Sequence, residues 1–346
     1  MSSLKVAVAG TGYFSPFHLD AWQRIEGVRI VGIASLDGAA EAAARYGANG
    51  YDDVAAMLDA ETPDLLDIVT PPATHLDLIR LAAERGVDAV CQKPFCGGLD
   101  GAVEAVEVAD AAGIRLNVHE NIRFQPWYAV IAERLADGSL GESYGATFRL
   151  RPGDGQGADA YLARQPYFRS MERFLVHETL VHWIDTLRFL LEPTCGPVAS
   201  VWADLRRVNE GIVGEDAGLV VLAFESGARG QIDGNRCADH AADPATGNRR
   251  LTFGELSVEG SKGELRLDGS ARLTERDHGE DVWRDVAYDW DDIGFGADCV
   301  FRLQSRLVTA LRDGAPFPNE ARAYLRNLEI VEAVYRSSEE GRRMTL

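Results

Sequence analysis

Val6-Ala7-Val8-Ala9 runs straight into Gly10-Thr11-Gly12-Tyr13-Phe14-Ser15, and a helical pattern follows at once. An apolar strand, a glycine-rich turn and a helix in that order open a βαβ dinucleotide-binding unit. Gly10 permits the tight turn, Gly12 lets the backbone approach a pyrophosphate, and the third position must be small where helix packs on strand. Ser15 is small without being glycine or alanine. With Pro16 behind it, Ser15 is expected to cap the helix and aim free N–H groups at the phosphates, with Tyr13 and Phe14 lining the turn. The alternative is an ordinary glycine-rich turn; the strand before it and the helix after it favour the nucleotide.

The pattern continues as a parallel array should. Short apolar runs at Leu4 to Ala9, Arg29 to Ala34, Leu65 to Val69, Ala89 to Gln92 and Arg115 to Asn117 alternate with helical stretches at Ala39 to Tyr46, Leu76 to Glu84 and Ala102 to Ala111. Residues 1–123 are therefore expected to form a doubly wound α/β Rossmann domain, with Gly86 and Gly113 ending helices. Ligands of such sheets bind at the carboxyl ends of the strands, which directs attention to what stands there. After the second strand come Ser35 and Asp37; the carboxylate suits a ribose hydroxyl, and no Arg or Lys follows closely to receive a 2′-phosphate. NAD is the expected cofactor and NADP the alternative. After the next strand comes Thr70-Pro71-Pro72-Ala73-Thr74-His75, a stiffened loop in which His75 either contacts the cofactor or starts a helix. Gln92 and Lys93 end a further strand, and Lys93 brings an amine to the same edge unless it is a plain surface lysine.

Beyond Pro126 the rhythm changes. Helices at Trp127 to Ala136 and Glu172 to Leu191 precede a run of strands from about Val198 to Val286, including a hairpin turning at Glu225-Ser226-Gly227, and helices at Ala297 to Arg312 and Glu320 to Ser337 close the chain. Residues 124–346 are expected to form an α+β substrate-binding and oligomerisation domain on a large, mainly antiparallel sheet. In its second helix Glu178, His182 and Asp185 fall at i, i+4 and i+7, one face of an α-helix. His177 and His182 are five apart, about 140° around such a helix, so one metal cannot take both and no metal site is expected. Tyr161, Arg164 and Arg169, after a glycine-rich stretch, are candidates for a substrate wall, against the alternative of a surface loop.

Charge and cysteine content bound the partners. Lys+Arg 35 against Asp+Glu 54 gives −19, which repels nucleic acid and anionic membrane while leaving a dinucleotide free to bind one helix N-terminus. No leader-like or membrane-spanning apolar run is evident, and five scattered cysteines without a CxxC pair suggest reduced thiols in a cytoplasmic protein. A large sheet with few helices to cover it further suggests a homodimer or homotetramer.

Taken in order, GTGYFS, TPPATH, QKP, NVHENIRFQP and HETLVHWID resemble the Gfo/Idh/MocA family, the relatives of glucose-fructose oxidoreductase and inositol dehydrogenase. The resemblance covers essentially the whole chain. It implies nicotinamide-dependent oxidation or reduction of a sugar or polyol hydroxyl. By similarity, Lys93 lies beside the nicotinamide, Glu178 and His182 complete the catalytic group, and Arg123 joins the substrate residues. Gln92 departs from the usual Glu, and Glu178 from the frequent Asp. The TGYFS opening and the YFRSMERFLVHETLVHWID stretch resemble D-apiose dehydrogenase-like members most, implying a branched pentose oxidised at its anomeric carbon. The family also admits a non-catalytic dinucleotide-binding regulator and an NAD-dependent glycoside hydrolase, against which the intact lysine and histidine weigh in favour of a dehydrogenase.

Overall fold

The computed structural model describes residues 3–163, 165–238 and 251–346. The chain divides into two compact units, one holding residues up to Phe124 together with Asp292–Leu328, the other Gln125–Asp291 with Glu329–Leu346.

In the first unit the expected alternation is present: β1 Leu4–Ala9, α1 Ser15–Arg24, β2 Val28–Ala34, α2 Ala39–Tyr46, β3 Asn49–Tyr51, α3 Val54–Glu61, β4 Leu65–Ile68, α4 His75–Glu84, β5 Asp88–Gln92, α5 Leu99–Ala112 and β6 Leu116–His119. These strands form a parallel sheet in the order β3-β2-β1-β4-β5-β6. β1 pairs with β2 on one side and β4 on the other, so the order reverses at β1, where this kind of sheet opens a ligand crevice. β3 and α3 were not expected; Asn49-Gly50-Tyr51 is too short and polar to signal a strand.

The first unit also takes in Asp292–Leu328, which lie within the second domain expected from the sequence. Packing is the reason. A helix over Cys299–Asp313 buries Val300, Leu303 and Leu307 in one core with Val8, Leu19, Trp22, Ile30 and Val90. Arg24 pairs with Asp298 just ahead of that helix. An amphipathic helix announces that it needs a partner surface, not which one.

In the second unit α6 Pro126–Ala136 leads to β7 Ser143–Leu150, and α7 Val181–Cys195 to β8 Val198–Arg206, β9 Ala217–Phe224, β10 Arg229–Asn235, β11 Gly254–Gly260, β12 Gly263–Leu267, β13 Leu273–Asp277 and β14 Arg284–Asp285. Along the chain come α8 Cys299–Asp313, which belongs to the first unit, then α9 Ala321–Glu340 and strand β15 Met344–Thr345. Among the described residues the sheet runs β14-β13-β12-β11-β7-β10-β9-β8-β15. The β9–β10 hairpin is antiparallel as expected. β7 was not expected as a strand, yet it lies mid-sheet, parallel to β10 and antiparallel to β11. Its signal is the alternation of buried Ala146, Phe148 and Leu150 with Thr147 and Arg149. Trp183 of α7 stacks on Phe148 at 4.5 Å between centroids, fixing that helix on the sheet.

Candidate active site

The turn after β1 has the geometry a pyrophosphate needs. Gly10 has φ +109, and a Cβ there would lie 2.5 Å from the Val69 carbonyl oxygen, so only glycine passes; a Cβ on Gly12 would meet open space. Thr11 Oγ1 lies 2.7 Å from the Asp37 carbonyl oxygen and 2.9 Å from Ser35 Oγ, tying the turn to the end of β2. Asp37 is exposed and Ser35 half-buried. Ser15 does not cap α1: it is the first helical residue, Phe14 holds the cap position without a side-chain bond, and Pro16 follows. Ser15 is fully buried and its Oγ finds no partner, so its small size serves the packing of helix on strand. The first N–H groups of α1 are left without a side-chain cap, which fits an anionic dinucleotide. Phe14 packs against Phe17, His18 and Phe295, while Tyr13 is half-exposed.

Thr70, Pro71 and Pro72 stand where expected, beyond β4, with Thr74 Oγ1 donating to Thr70 Oγ1 at 2.7 Å. His75 is the first residue of α4 and turns inward. It is fully buried, its Nε2 bonds the Thr70 carbonyl at 2.8 Å, and its Nδ1 accepts from the Cys96 N–H at 3.3 Å. Burial pushes the imidazole down to about 4, so it stays neutral and joins the loops after β4 and β5.

Gln92 likewise points inward. The Lys93 N–H donates to Gln92 Oε1 at 2.7 Å, so the other end of the amide is the NH2, which donates to His18 Nε2 at 3.0 Å. His18 then carries its proton on Nδ1, toward Asp67 Oδ2 at 2.8 Å, where the Trp22 indole also donates at 2.6 Å. His18 and Asp67 are fully buried. His119 stacks on His18 at 3.9 Å between ring centroids, and burial, with His18 beside it, holds its imidazole well below the usual range. This polar chain fixes the backbone of half-buried Lys93 at the end of β5, which pairs with β4, the partner of β1. None of its buried members except Gln92 was expected; a His and an Asp inside an apolar pattern read as packing until the fold brings them together.

Arg123 is half-buried, its guanidinium donating to the Pro318 carbonyl and lying near the Phe124 ring.

In the second unit the helix bearing Glu178 and His182 starts at Leu175, not Glu172, and Leu175–Leu180 wind as a π-turn before α7 begins. The α-helical spacing that put Glu178, His182 and Asp185 on one stripe therefore holds only from Val181 onward. All three are buried, and the π-turn is capped by Glu215, which accepts from the Phe174 and Val176 N–H groups at 3.1 Å each and from the Tyr335 hydroxyl at 2.6 Å. Glu178 Oε2 accepts from Thr179 Oγ1 at 2.6 Å.

Two residues of the expected substrate wall are engaged with the chain itself. Tyr161 is buried among Phe168, Phe174 and Ile212, because its ring completes a small core of its own. Arg169 spends its guanidinium on the carbonyls of Ala158 and Ala160, at 2.6 and 3.1 Å. Arg164 lies outside the described residues. No cluster of metal-ligating side chains and no membrane-spanning helix occurs among the described residues, and the five cysteines are free.

Residues 4–120 match the family described as oxidoreductase family, NAD-binding Rossmann fold, and residues 128–266 match the GFO/IDH/MocA C-terminal domain. D-apiose dehydrogenase of Paraburkholderia graminis is 34% identical, the match covering 99% of this chain and 89% of that protein. Inositol 2-dehydrogenase of Rhizobium meliloti is 25% identical, covering 99% of each. A solved oxidoreductase from Agrobacterium radiobacter, in complex with NAD+, L-tartaric acid and magnesium, superimposes with TM-score 0.88 at 27% identity, covering 99% of this chain and 98% of that one.

Proposed function

The chain belongs to the Gfo/Idh/MocA oxidoreductase family, and we propose from that premise that it is an NAD-dependent dehydrogenase acting on a hydroxyl of a neutral sugar or polyol. The observation that supports this is the polar chain through Gln92, His18 and Asp67 that holds the Lys93 backbone at the carboxyl end of β5, one strand beyond the β1–β4 pair where the sheet order reverses. Bound nicotinamide supplies the hydride acceptor. The protein must then remove the hydroxyl proton and steady the oxygen as charge develops on it. His182 takes the proton, the Lys93 ammonium hydrogen-bonds the oxygen, and Glu178 orients the imidazole or binds a neighbouring hydroxyl. The reverse assignment, with Lys93 as proton acceptor, uses the same residues.

Ser35 and Asp37, beside the fixed Gly10 turn, are assigned to the adenosine ribose. His75 and Gln92 support the site from behind. Two relatives named D-apiose dehydrogenase, 34% and 29% identical, make that branched pentose the first compound to test. The deciding experiment is NADH formation with the purified protein across pentoses including D-apiose, hexoses, inositols and sugar acids. Turnover of a neutral sugar or polyol is expected; cofactor binding with no turnover of any member would replace the enzyme with a regulator. The free cysteines accord with a cytoplasmic location. The half-exposed strip of Trp202, Leu219 and Val221 on one face of the second sheet accords with a homo-oligomer.

A further inference from the structure

Arg236, just past β10, is 5% exposed, and a buried guanidinium is costly unless every part of it is used. Its Nε and Nη2 form a fork on Asp154, at 3.2 Å to Oδ1 and 2.7 Å to Oδ2. Its Nη1 donates to Thr179 Oγ1 at 2.5 Å and lies 3.6 Å from Glu178 Oε2. The rings of Phe174, Tyr161 and Phe168 stand 4.8, 5.1 and 5.2 Å from the guanidinium carbon. Burial works against the charge, but Asp154 and Glu178 outweigh it. The Arg236 carbonyl also accepts from the Gly155 N–H at 3.0 Å, and its N–H donates to the Asp216 carbonyl at 2.9 Å.

Asp154 alone would neutralise this cation. The third guanidinium nitrogen instead reaches Glu178 through a hydroxyl that both accepts and donates: Thr179 Oγ1 accepts a hydrogen bond from Nη1 and donates one to Glu178 Oε2. We infer that Arg236 and Thr179 are positioning residues for the reaction, fixing the Glu178 carboxylate and tying it to the 154–174 segment through Asp154 and the three rings. Two candidate substrate elements, a carboxylate in a π-turn and the segment carrying Arg169, are thereby held by one buried cation. Because the π-turn departs from α-helical spacing, the helix alone does not set the direction of Glu178, and the hydroxyl and the guanidinium each hold Oε2. The inference rests on the role proposed for Glu178.

The test compares full-length wild type with Thr179→Val, Thr179→Ser and Arg236→Lys. Thr179→Val keeps the β-branched shape and removes the bridge. It should stay folded but melt below wild type, since the buried Nη1 loses its hydroxyl acceptor, bind NAD(H) as wild type does, and lose roughly tenfold or more in kcat/KM, the scale of a lost bond to a charged group. Thr179→Ser should recover to within about twofold, since its hydroxyl bridges equally well. Arg236→Lys should lose more than Thr179→Val, because an ammonium cannot fork onto Asp154 and reach Thr179 together. A Val variant within about twofold of wild type, or Val and Ser variants equally impaired, would overturn the inference. Crystal structures of wild type and Thr179→Val decide the same point without turnover: Glu178 should swing away in the variant, and an unmoved carboxylate sinks the idea. A wild type that oxidises no sugar or polyol defeats the proposed function instead, and the structural comparison still judges the positioning role.

Discussion

At the scale of single residues, the chemistry concentrates on groups whose surroundings leave little freedom. Lys93 is the clearest candidate, since Gln92 grips its backbone just past the end of β5. Lys93→Met should lower kcat by roughly 10²-fold or more, the scale of a lost proton-transfer or oxyanion group, with little change in NAD affinity. His182→Ala should behave alike, and the double variant should lose less than the product if both serve one oxygen. Steady-state kinetics on a turned-over sugar reads both. Asp37 sets a second expectation: its exposed carboxylate would repel a 2′-phosphate, so NADP(H) should bind about tenfold or more weakly than NAD(H), and titration of both cofactors checks it. His75 carries a pH signature. Its folded value of about 4, against 6.5 for an ordinary histidine, means the unfolded chain takes up a proton first as pH falls. Its contribution, about 3 kcal/mol, is complete above pH 6.5 and lost by pH 4. Urea unfolding of wild type and His75→Gln should show a shallower acid decline in the variant, with the remainder including His119, which is depressed in the same direction.

Among the elements, the π-turn at Leu175–Leu180 depends on a cap supplied from far along the chain. Glu215 satisfies two backbone N–H groups at its start and the Tyr335 hydroxyl. Glu215→Ala leaves three buried donors unmatched and should cost about 3 kcal/mol, read as a lower urea midpoint at unchanged slope. The strands and helices of the first unit were largely legible, because β-branched runs and amphipathic stretches alternate there and glycines close the helices. β7 was missed although Ala146, Phe148 and Leu150 alternate, since an isolated strand between helices gives no repeat to join. The π-turn was illegible for a different reason: nothing in HETLVHWID distinguishes it from an α-helix, and its cap lies 39 residues from Val176.

For the whole molecule, the half-exposed strip of Trp202, Leu219 and Val221 leads to the expectation of a dimer or tetramer at micromolar concentration. Light scattering should show it, and Trp202→Asp should shift the population toward monomer. By itself the sequence determined the nucleotide-binding opening, the doubly wound first domain, the sheet-rich second one and the identity of Lys93, Glu178 and His182 as candidates. These are recorded locally, in hydrophobic period, turn chemistry and short motifs. Tertiary structure alone decided that residues 292–328 return to the first unit, that His75 and Gln92 turn inward onto buried partners, that Tyr161 is core, that Asp67 meets His18, and that Arg236 meets Thr179. Each of those outcomes is a pairing between residues distant in sequence, and a buried polar group reveals its purpose only through the partner that the fold delivers to it.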